Sequence, residues 1–238
     1  MNLNNTETLK VVAQSYTTDG YGPHVVDLFG SGIHISQTVI VTWFIMLLLI
    51  IFAVIARKKM NSVPKGMQNF VEMLVDAIYN LTKQTMGNHR VEFAPYVGTL
   101  LLFIGISNIA GLFGLRPPTS DLNTTFALAI MTFCLTHYFG VKNQGLGTYL
   151  KGFLEPFPLL LPMNIIGELA NPISLSFRLF GNILGGLIIM NLLYGALGMW
   201  GIIPVPAVLH MYFDVFAGLL QSFIFTMLTM VFISMAMD

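Results

Sequence analysis

Charged residues are scarce in this chain of 238 residues: Asp, Glu, Lys and Arg together make up 9%, whereas hydrophobic residues make up 55%. Soluble domains carry roughly 25% charged residues, so the deficit indicates that lipid is the main solvent of this chain. The net charge is zero, which argues against nucleic-acid binding. The single cysteine, Cys134, excludes an intrachain disulfide and is expected to pack as a small apolar residue.

Basic residues are almost absent from the C-terminal third, where Arg178 is the only Lys or Arg after Lys151. Arg178 stands in strongly apolar sequence. An arginine keeps its charge at membrane depth, so it requires water or an anion there. An intramembrane cation of this kind is a functional hypothesis by default.

Long apolar runs predict an all-α integral membrane protein with five membrane helices in a single membrane domain, residues 1–238. The predicted spans are 36–56, a two-span hairpin within 96–141 (96–115 and 122–141), and a pair within 159–237. The last two runs, 159–194 and 207–237, each exceed thirty residues. A helix of ~31 residues is roughly 46 Å long against a hydrocarbon core of ~30 Å, so both helices are predicted to tilt steeply.

Basic residues and helical periodicity orient the chain in the membrane. Residues 57–59 (RKK) form the densest basic cluster, which places that end of the first span in the cytoplasm, the segment 1–35 outside and the C-terminus in the cytoplasm. Residues 64–88 show apolar positions at helical spacing with charges between them. That pattern predicts an interfacial amphipathic helix, lying on the cytoplasmic face or against neighbouring helices.

On each of the last two membrane helices, polar residues recur at a spacing that places them on one face of the helix. Ser174, Arg178 and Asn182 share a face of the first, with small residues at 181, 185 and 186 forming a groove for a close neighbour. On the last helix the corresponding face carries His210, Asp214 and Gln221. Such stripes face protein or a water-filled cavity, because facing lipid is costly. The simpler alternative for the first stripe is ordinary packing of small residues, with Arg178 paired inside the protein. For the second stripe it is hydrogen bonding to neighbouring helices alone.

Two further polar residues lie on opposite sides of the Arg178–Gln221 level. Glu168 precedes Arg178 by ~15 Å along its helix, towards the cytoplasm, and Asp214 precedes Gln221 by ~10 Å, towards the exterior. Asn108 also lies towards the exterior. No continuous polar line joins the two sides, which favours two offset half-channels over one open pore.

Other classes of membrane protein fit the sequence less well. A secondary transporter predicts repeated halves or broken helices around a midplane site, and neither is evident. An intramembrane metalloenzyme could use His210 and Asp214, but two ligands without a third make a weak metal site. We therefore predict no metal and no cofactor. A purely structural scaffold leaves the position of Arg178 unexplained.

Three segments identify a family resemblance that covers nearly the whole chain. Residues 177–182 (FRLFGN) with Pro172 upstream, residues 115–125 (LRPPTSDLNTT) and residues 220–229 (LQSFIFTMLT) resemble subunit a of the bacterial F-type ATP synthases. The arginine-centred motif is highly specific to that family. The resemblance implies a non-catalytic, five-span stator protein in the bacterial plasma membrane, beside a rotating ring of c subunits.

The resemblance also implies partners and roles. The partners are the c-ring, the b subunits of the peripheral stalk, the remainder of the F1F0 complex and the lipid bilayer. Arg178 would face the carboxylate of each passing c subunit, Asn182 and Gln221 would surround it, and Glu168 would contribute to a cytoplasmic half-channel for protons.

Two positions depart from the pattern of some members. An acid nine residues after the arginine is replaced by Leu187, and the position seven residues before Gln221, often histidine, is Asp214. The acidic function of the outer channel is therefore expected at Asp214, with His210 one turn away as a possible assistant.

Overall fold

The described part of the chain begins with a pair of short β-strands followed by a membrane helix. A computed structural model describes residues 25–27, 34–58, 66–113, 115–154, 157–197 and 205–238. Strands β1 (Val25–Asp27) and β2 (His34–Ser36) pair antiparallel and lead directly into helix α1 (Gln37–Lys58). The sequence analysis did not predict this strand pair, and residues 1–24 and 28–33 of the predicted exterior segment lie outside the described residues.

The remaining elements are helical. They are α2 (Met67–Met86), a 3-10 helix (Asn88–Phe93), α3 (Ala94–Ile109), 3-10 turns at Ala110–Phe113 and Pro118–Ser120, α4 (Leu122–Gln144), α5 (Leu146–Gly152), a 3-10 turn (Pro158–Leu160), α6 (Leu161–Leu197), α7 (Val205–His210), a π-helix (Met211–Ala217) and α8 (Gly218–Met237). The short helix α5 was not predicted from the sequence.

Five helical segments of the described chain are long and apolar enough to cross a membrane: Gln37–Arg57, Asn88–Phe113, Leu122–Gln144, Leu161–Leu193 and Val208–Met237. The predicted class, an all-α integral membrane protein with five membrane helices, is confirmed. The last two segments measure 33 and 30 residues, against 21 for the first. Their length is what predicts a steep tilt, because a straight upright helix of that length exceeds the hydrocarbon core.

Helix α2 has the amphipathic character that its periodicity predicts. Its buried positions, Ile78, Thr82 and Met86, lie on one face, whereas Met67 and Phe70 are exposed. Ile78 and Met86 belong to a cluster with Ala94, Val97, Met230, Ile233 and Met237. The apolar face of α2 therefore packs against α3 and the end of α8.

A bundle of α3, α4, α6 and α8 forms the centre of the molecule. One buried apolar cluster contains Leu100, Ile104, Ala129, Leu175, Leu179 and Phe225. Hydroxyl groups cross-link the same helices: Thr125 bonds Ser176, and Thr132 bonds Thr229, each with oxygens 3.1 Å apart. Helix α1 is packed mainly through Val41 and Ile45, and most of its remaining large side chains are exposed, as expected for a lipid-facing span.

Candidate ion-translocation site

Arg178 lies on an open face of α6. Its side chain and that of Ser174 are exposed, and within the described part of the chain Arg178 has no hydrogen-bond or ion-pair partner. A methyl group added at Gly181 or Gly185 would meet no atom within 4 Å. The face therefore combines an uncompensated cation with room for the backbone of another helix.

Contacts between α6 and the last membrane segment fix their register. Asn182 Nδ2 donates to the carbonyl of Ala217 at 3.3 Å, and a Cβ on Gly186 would lie 3.4 Å from Phe213. The helices are antiparallel, so one turn back along α6 corresponds to one turn forward along α8. The same register puts Arg178 level with Gln221, as the sequence analysis expected.

Gln221 is buried, with 6% of its surface exposed, yet its Nε2 group has no hydrogen-bond partner among the described residues. A buried donor without an acceptor costs about 1–3 kcal/mol. An acceptor at this level would remove that cost.

Asp214 occupies the π-helix of the last membrane segment and pairs with His210. The two side chains join through His210 Nδ1 and Asp214 Oδ2 at 2.8 Å, and both are partly exposed. A Cβ on Gly111 would lie 3.4 Å from Asp214 Cγ, so the backbone of the α3 extension passes beside the carboxylate. By the α6–α8 register Asp214 lies level with Gly185, ~10 Å from the Arg178 level. Single-turn π segments occur often at functional sites.

Asn108 is positioned within the protein. It is 1% exposed, accepts a hydrogen bond from Thr119 Oγ1 at 2.6 Å and donates one to the Gly218 carbonyl at 2.8 Å. The side chain therefore links α3, the loop before α4 and the start of α8, one turn from Asp214.

Glu168 lines a cavity of about 730 Å³ between α4, α5, α6 and α8. Asn171 Nδ2 donates to Glu168 Oε2 at 3.4 Å, and the walls also include Gln144, Tyr149 and Asn164. Glu168 and Asp214 therefore lie on opposite sides of the Arg178 level along the membrane helices. The two half-channels that the sequence analysis predicts on either side of this level stay a prediction.

Sequence reasoning missed the contribution of α4 and α5 to this cavity. Thr136 and Tyr149 line it, and Thr132 lines a smaller chamber of about 30 Å³ beside Glu168. The signal was present in the sequence, because Thr125, Thr132 and Thr136 follow at i, i+7 and i+11 on a helix that is otherwise largely apolar. Among the described residues no group of three or more His, Cys, Asp or Glu could hold a metal ion.

Comparison with known proteins identifies the family of this chain. Residues 39–234 match the family described as ATP synthase A chain. The chain is 40% identical over 218 residues to "ATP synthase subunit a, sodium ion specific" of Propionigenium modestum, covering 85% of this chain and 74% of the relative. It is 40% identical over 208 residues to ATP synthase subunit a of Citrifermentans bemidjiense (85% and 88% covered) and 37% identical over 211 residues to that of Moorella thermoacetica (88% and 94% covered). Matches of this extent and identity show that the chain belongs to the subunit a family of ATP synthases.

Proposed function

We propose that this chain is the proton-translocating stator subunit of a bacterial F-type ATP synthase. It is a non-catalytic component of the F0 sector, with its N-terminus outside and its C-terminus in the cytoplasm. The observation that carries the proposal is Arg178, a permanent cation on an open, glycine-lined helix face with no acid of the described chain beside it. A mobile carboxylate from another polypeptide would complete that site.

The mobile carboxylate belongs to the c-ring, which rotates past α6. A cation within ~4–6 Å lowers the pKa of a carboxylate by about 1–3 units, so Arg178 favours release of the proton that the ring carries. Gln221 lies level with Arg178, with its Nε2 buried and unpartnered, so it reaches the same carboxylate only if its side chain turns towards the open face of α6. Arg178 stabilises the charged form of the ring site only while that site faces the stator.

Two offset half-channels bring protons to and from this level. On the outer side, protons reach the ring past Asn108 and the His210–Asp214 pair. On the cytoplasmic side, they leave through the cavity that Glu168 lines. Asn182 and Ser174 extend the Arg178 face between the two openings. Because the half-channels meet only through the ring, a proton crosses only when the ring turns.

The energetic drive is modest per proton. Moving one charge through the membrane potential releases about 2.3 kcal/mol per 100 mV, so several protons must pass for each ATP. Besides the c-ring, the proposed partners are the b subunits, the rest of the F1F0 complex and the surrounding plasma-membrane lipid. Neither a cofactor nor a metal is required by this mechanism.

Sodium is the alternative ion, and the sodium-specific relative from Propionigenium modestum is the observation that favours it. The ion-binding carboxylate lies on the c-ring, so the partner decides between the two ions. ATP-driven acidification of vesicles in sodium-free buffer supports protons. Transport that requires added sodium supports the alternative.

The proposal is tested by Arg178→Ala in the complete enzyme reconstituted into vesicles. Proton-driven ATP synthesis should fall to background while the subunit still co-purifies with the c-ring, because an exposed side chain without partners in its own chain does not hold the fold. Lys83→Ala, which removes an exposed cation on α2, is the matched control and should retain synthesis. Normal synthesis by Arg178→Ala would refute the assigned role.

A further inference from the structure

Tyr149 is held over the cytoplasmic cavity by a tight packing arrangement. Gly145 has a positive φ of 81°, which turns the chain from α4 into α5 and folds Tyr149 back onto α4. A Cβ on Gly140 would lie 2.6 Å from Tyr149 Cε2, so only glycine leaves room for the ring. The ring also makes an edge contact with Phe153, whose carbonyl accepts a hydrogen bond from Asn164.

The hydroxyl of Tyr149 forms a short hydrogen bond with His137 Nδ1 of α4. The imidazole is packed edge-on against Phe133, with ring centroids 4.0 Å apart, which fixes its orientation. Tyr149 and Glu168 line the same cavity, large enough for several waters. The phenol and the carboxylate therefore share one cavity wall, and the imidazole of His137 reaches that cavity only through the Tyr149 hydroxyl.

We propose that Tyr149 and His137 form a proton relay that takes protons from Glu168 to the cytoplasm, and returns them in the reverse direction. The inference rests on the proposed function, because it supplies the cytoplasmic end of the proton half-channel. Tyr149 is the bridge, and His137 is the terminal acceptor.

The proton balance of the relay is simple. Protonated Glu168 gives its proton, through a cavity water, to the Tyr149 oxygen, while the Tyr149 hydroxyl proton moves to His137 Nδ1. The result is a Glu168 carboxylate and a protonated His137, which then loses its proton to the cytoplasm. Burial, and then the charge of Glu168, raise the pKa of Tyr149, so the phenol keeps one proton throughout and serves as a bridge.

His137 enters the relay from α4. His137 does not line the cavity itself; it contacts Tyr149 of α5, which shares the cavity wall with Glu168 of α6. Other titratable groups on the packed elements are exposed: Cys134, Tyr138 and Lys142 on α4, Lys151 on α5 and Asp238 after α8. Histidine is the side chain type that ordinarily changes charge between about pH 5 and 8, the range in which cytoplasmic protons are exchanged.

The test uses Tyr149→Phe and His137→Gln in the complete enzyme reconstituted into vesicles. ATP-driven proton pumping is measured while the pH on the cytoplasmic side varies from 5.5 to 8.5. Tyr149→Phe keeps the ring over Gly140 and should slow proton-limited pumping by about tenfold, less than the 10²–10⁴-fold worth of a positioned acid or base, since water substitutes for the hydroxyl. His137→Gln should remove the inflection that the wild-type rate shows between about pH 5 and 8.

Two matched controls separate the relay from a general effect of substitution. Tyr138→Phe removes an exposed phenol from α4, the helix that carries His137. His89→Gln removes an exposed imidazole outside the cavity. Both should keep the wild-type rate and pH profile. A wild-type rate in Tyr149→Phe together with a wild-type profile in His137→Gln overturns the relay. If that result accompanies loss of synthesis in Arg178→Ala, the stator function stands and only the relay fails. If His137→Gln does not assemble, Tyr149→Phe decides alone.

Discussion

At the level of single side chains, Asn108 and Arg178 differ in whether their own chain supplies their hydrogen-bond partners. Asn108 is buried and uses its carbonyl and amino groups on Thr119 and Gly218 of its own chain. Arg178 is exposed and uses none within the described residues. The first arrangement fixes the positions of helices. The second is that of a group reserved for a partner, because leaving a cation uncompensated at membrane depth is costly.

A second prediction for a single side chain concerns the proposed outer half-channel, which Asp214→Asn tests. The amide keeps the size of the carboxylate and can still bond His210, but it no longer exchanges a proton at neutral pH. Proton-driven ATP synthesis should fall about 10²-fold or more, the lower end of the contribution of a positioned acid or base. Co-purification with the c-ring should be unchanged.

Asp76→Asn is the control for Asp214→Asn, because it removes an exposed carboxylate from α2. It should leave synthesis unaltered. Unchanged proton flux in Asp214→Asn vesicles would show that the carboxylate has only a structural role.

At the level of elements, glycines have opposite roles on the two faces of the α6–α8 pair. Gly218 lies against α3: a Cβ there would be 2.9 Å from Asn108 Cβ. Gly181 lies on the open Arg178 face with nothing within 4 Å. The first glycine lets two helices of this chain approach each other, and the second is available to a helix of another chain.

Gly218→Ala and Gly181→Ala should therefore change stability in opposite directions. Gly218→Ala should destabilise the purified subunit by about 1–3 kcal/mol, because the added methyl overpacks a rigid contact. Gly181→Ala should stabilise it by roughly 0.5–1 kcal/mol, because alanine loses less backbone entropy in a helix. Denaturant unfolding in detergent measures both, and equal signs would contradict the assignment of the faces.

Gly181→Ala makes a second prediction in the complete enzyme. If a c-subunit helix passes close to this face, the added methyl should slow proton-driven synthesis despite the gain in subunit stability. Gly147→Ala is the control, since that position on α5 also has nothing within 4 Å but lies away from α6.

At the level of the whole molecule, side chains from two distant segments hold the end of α8. Arg90 Nη1 donates to the Ser234 carbonyl at 3.2 Å, and its Nη2 pairs with Asp238. Asn143 and Gln144, at the end of α4, donate to the Met237 and Ala236 carbonyls at 2.9 and 3.1 Å. These donors satisfy terminal carbonyls that a helix leaves unpaired. The end of α8 forms part of the wall of the cavity that Glu168 lines, so this clamp also maintains that cavity.

The Arg90–Asp238 pair makes the stability contributed by these contacts depend on pH in the acid range. The hydrogen bond from Arg90 lowers the pKa of Asp238 below its ordinary value of 3.8. A depressed folded-state pKa stabilises the fold above the unfolded-state pKa, and the contribution is lost as the pH falls through the folded-state pKa. Arg90→Ala should therefore lower the thermal unfolding midpoint by an amount that is constant from pH 7 to about 5 and shrinks below about pH 4.

Glu92→Gln, an exposed neighbour of Arg90, is the control for the clamp and should leave the midpoint unchanged. A deficit in Arg90→Ala that persists unchanged at pH 3 would show that the contacts with Ser234, and not the ion pair with Asp238, account for the effect.

The sequence by itself determined the five apolar spans, the polar stripes on the last two and the isolation of Arg178. These follow from composition and helical periodicity, because the membrane requires long apolar helices and makes each intramembrane charge conspicuous. The level of Arg178 with Gln221 could also be predicted, since counting residues along two antiparallel helices suffices.

Only the tertiary structure decided which polar groups meet. It bonded Asn108 to Gly218, joined Asn182 to the Ala217 carbonyl and brought Tyr149 against His137. These contacts depend on how the helices rotate and how closely they approach, which packing at glycines such as Gly140 and Gly218 sets. One-dimensional periodicity assigns a residue to a face, but the neighbour of that face is chosen by the packing of the whole bundle.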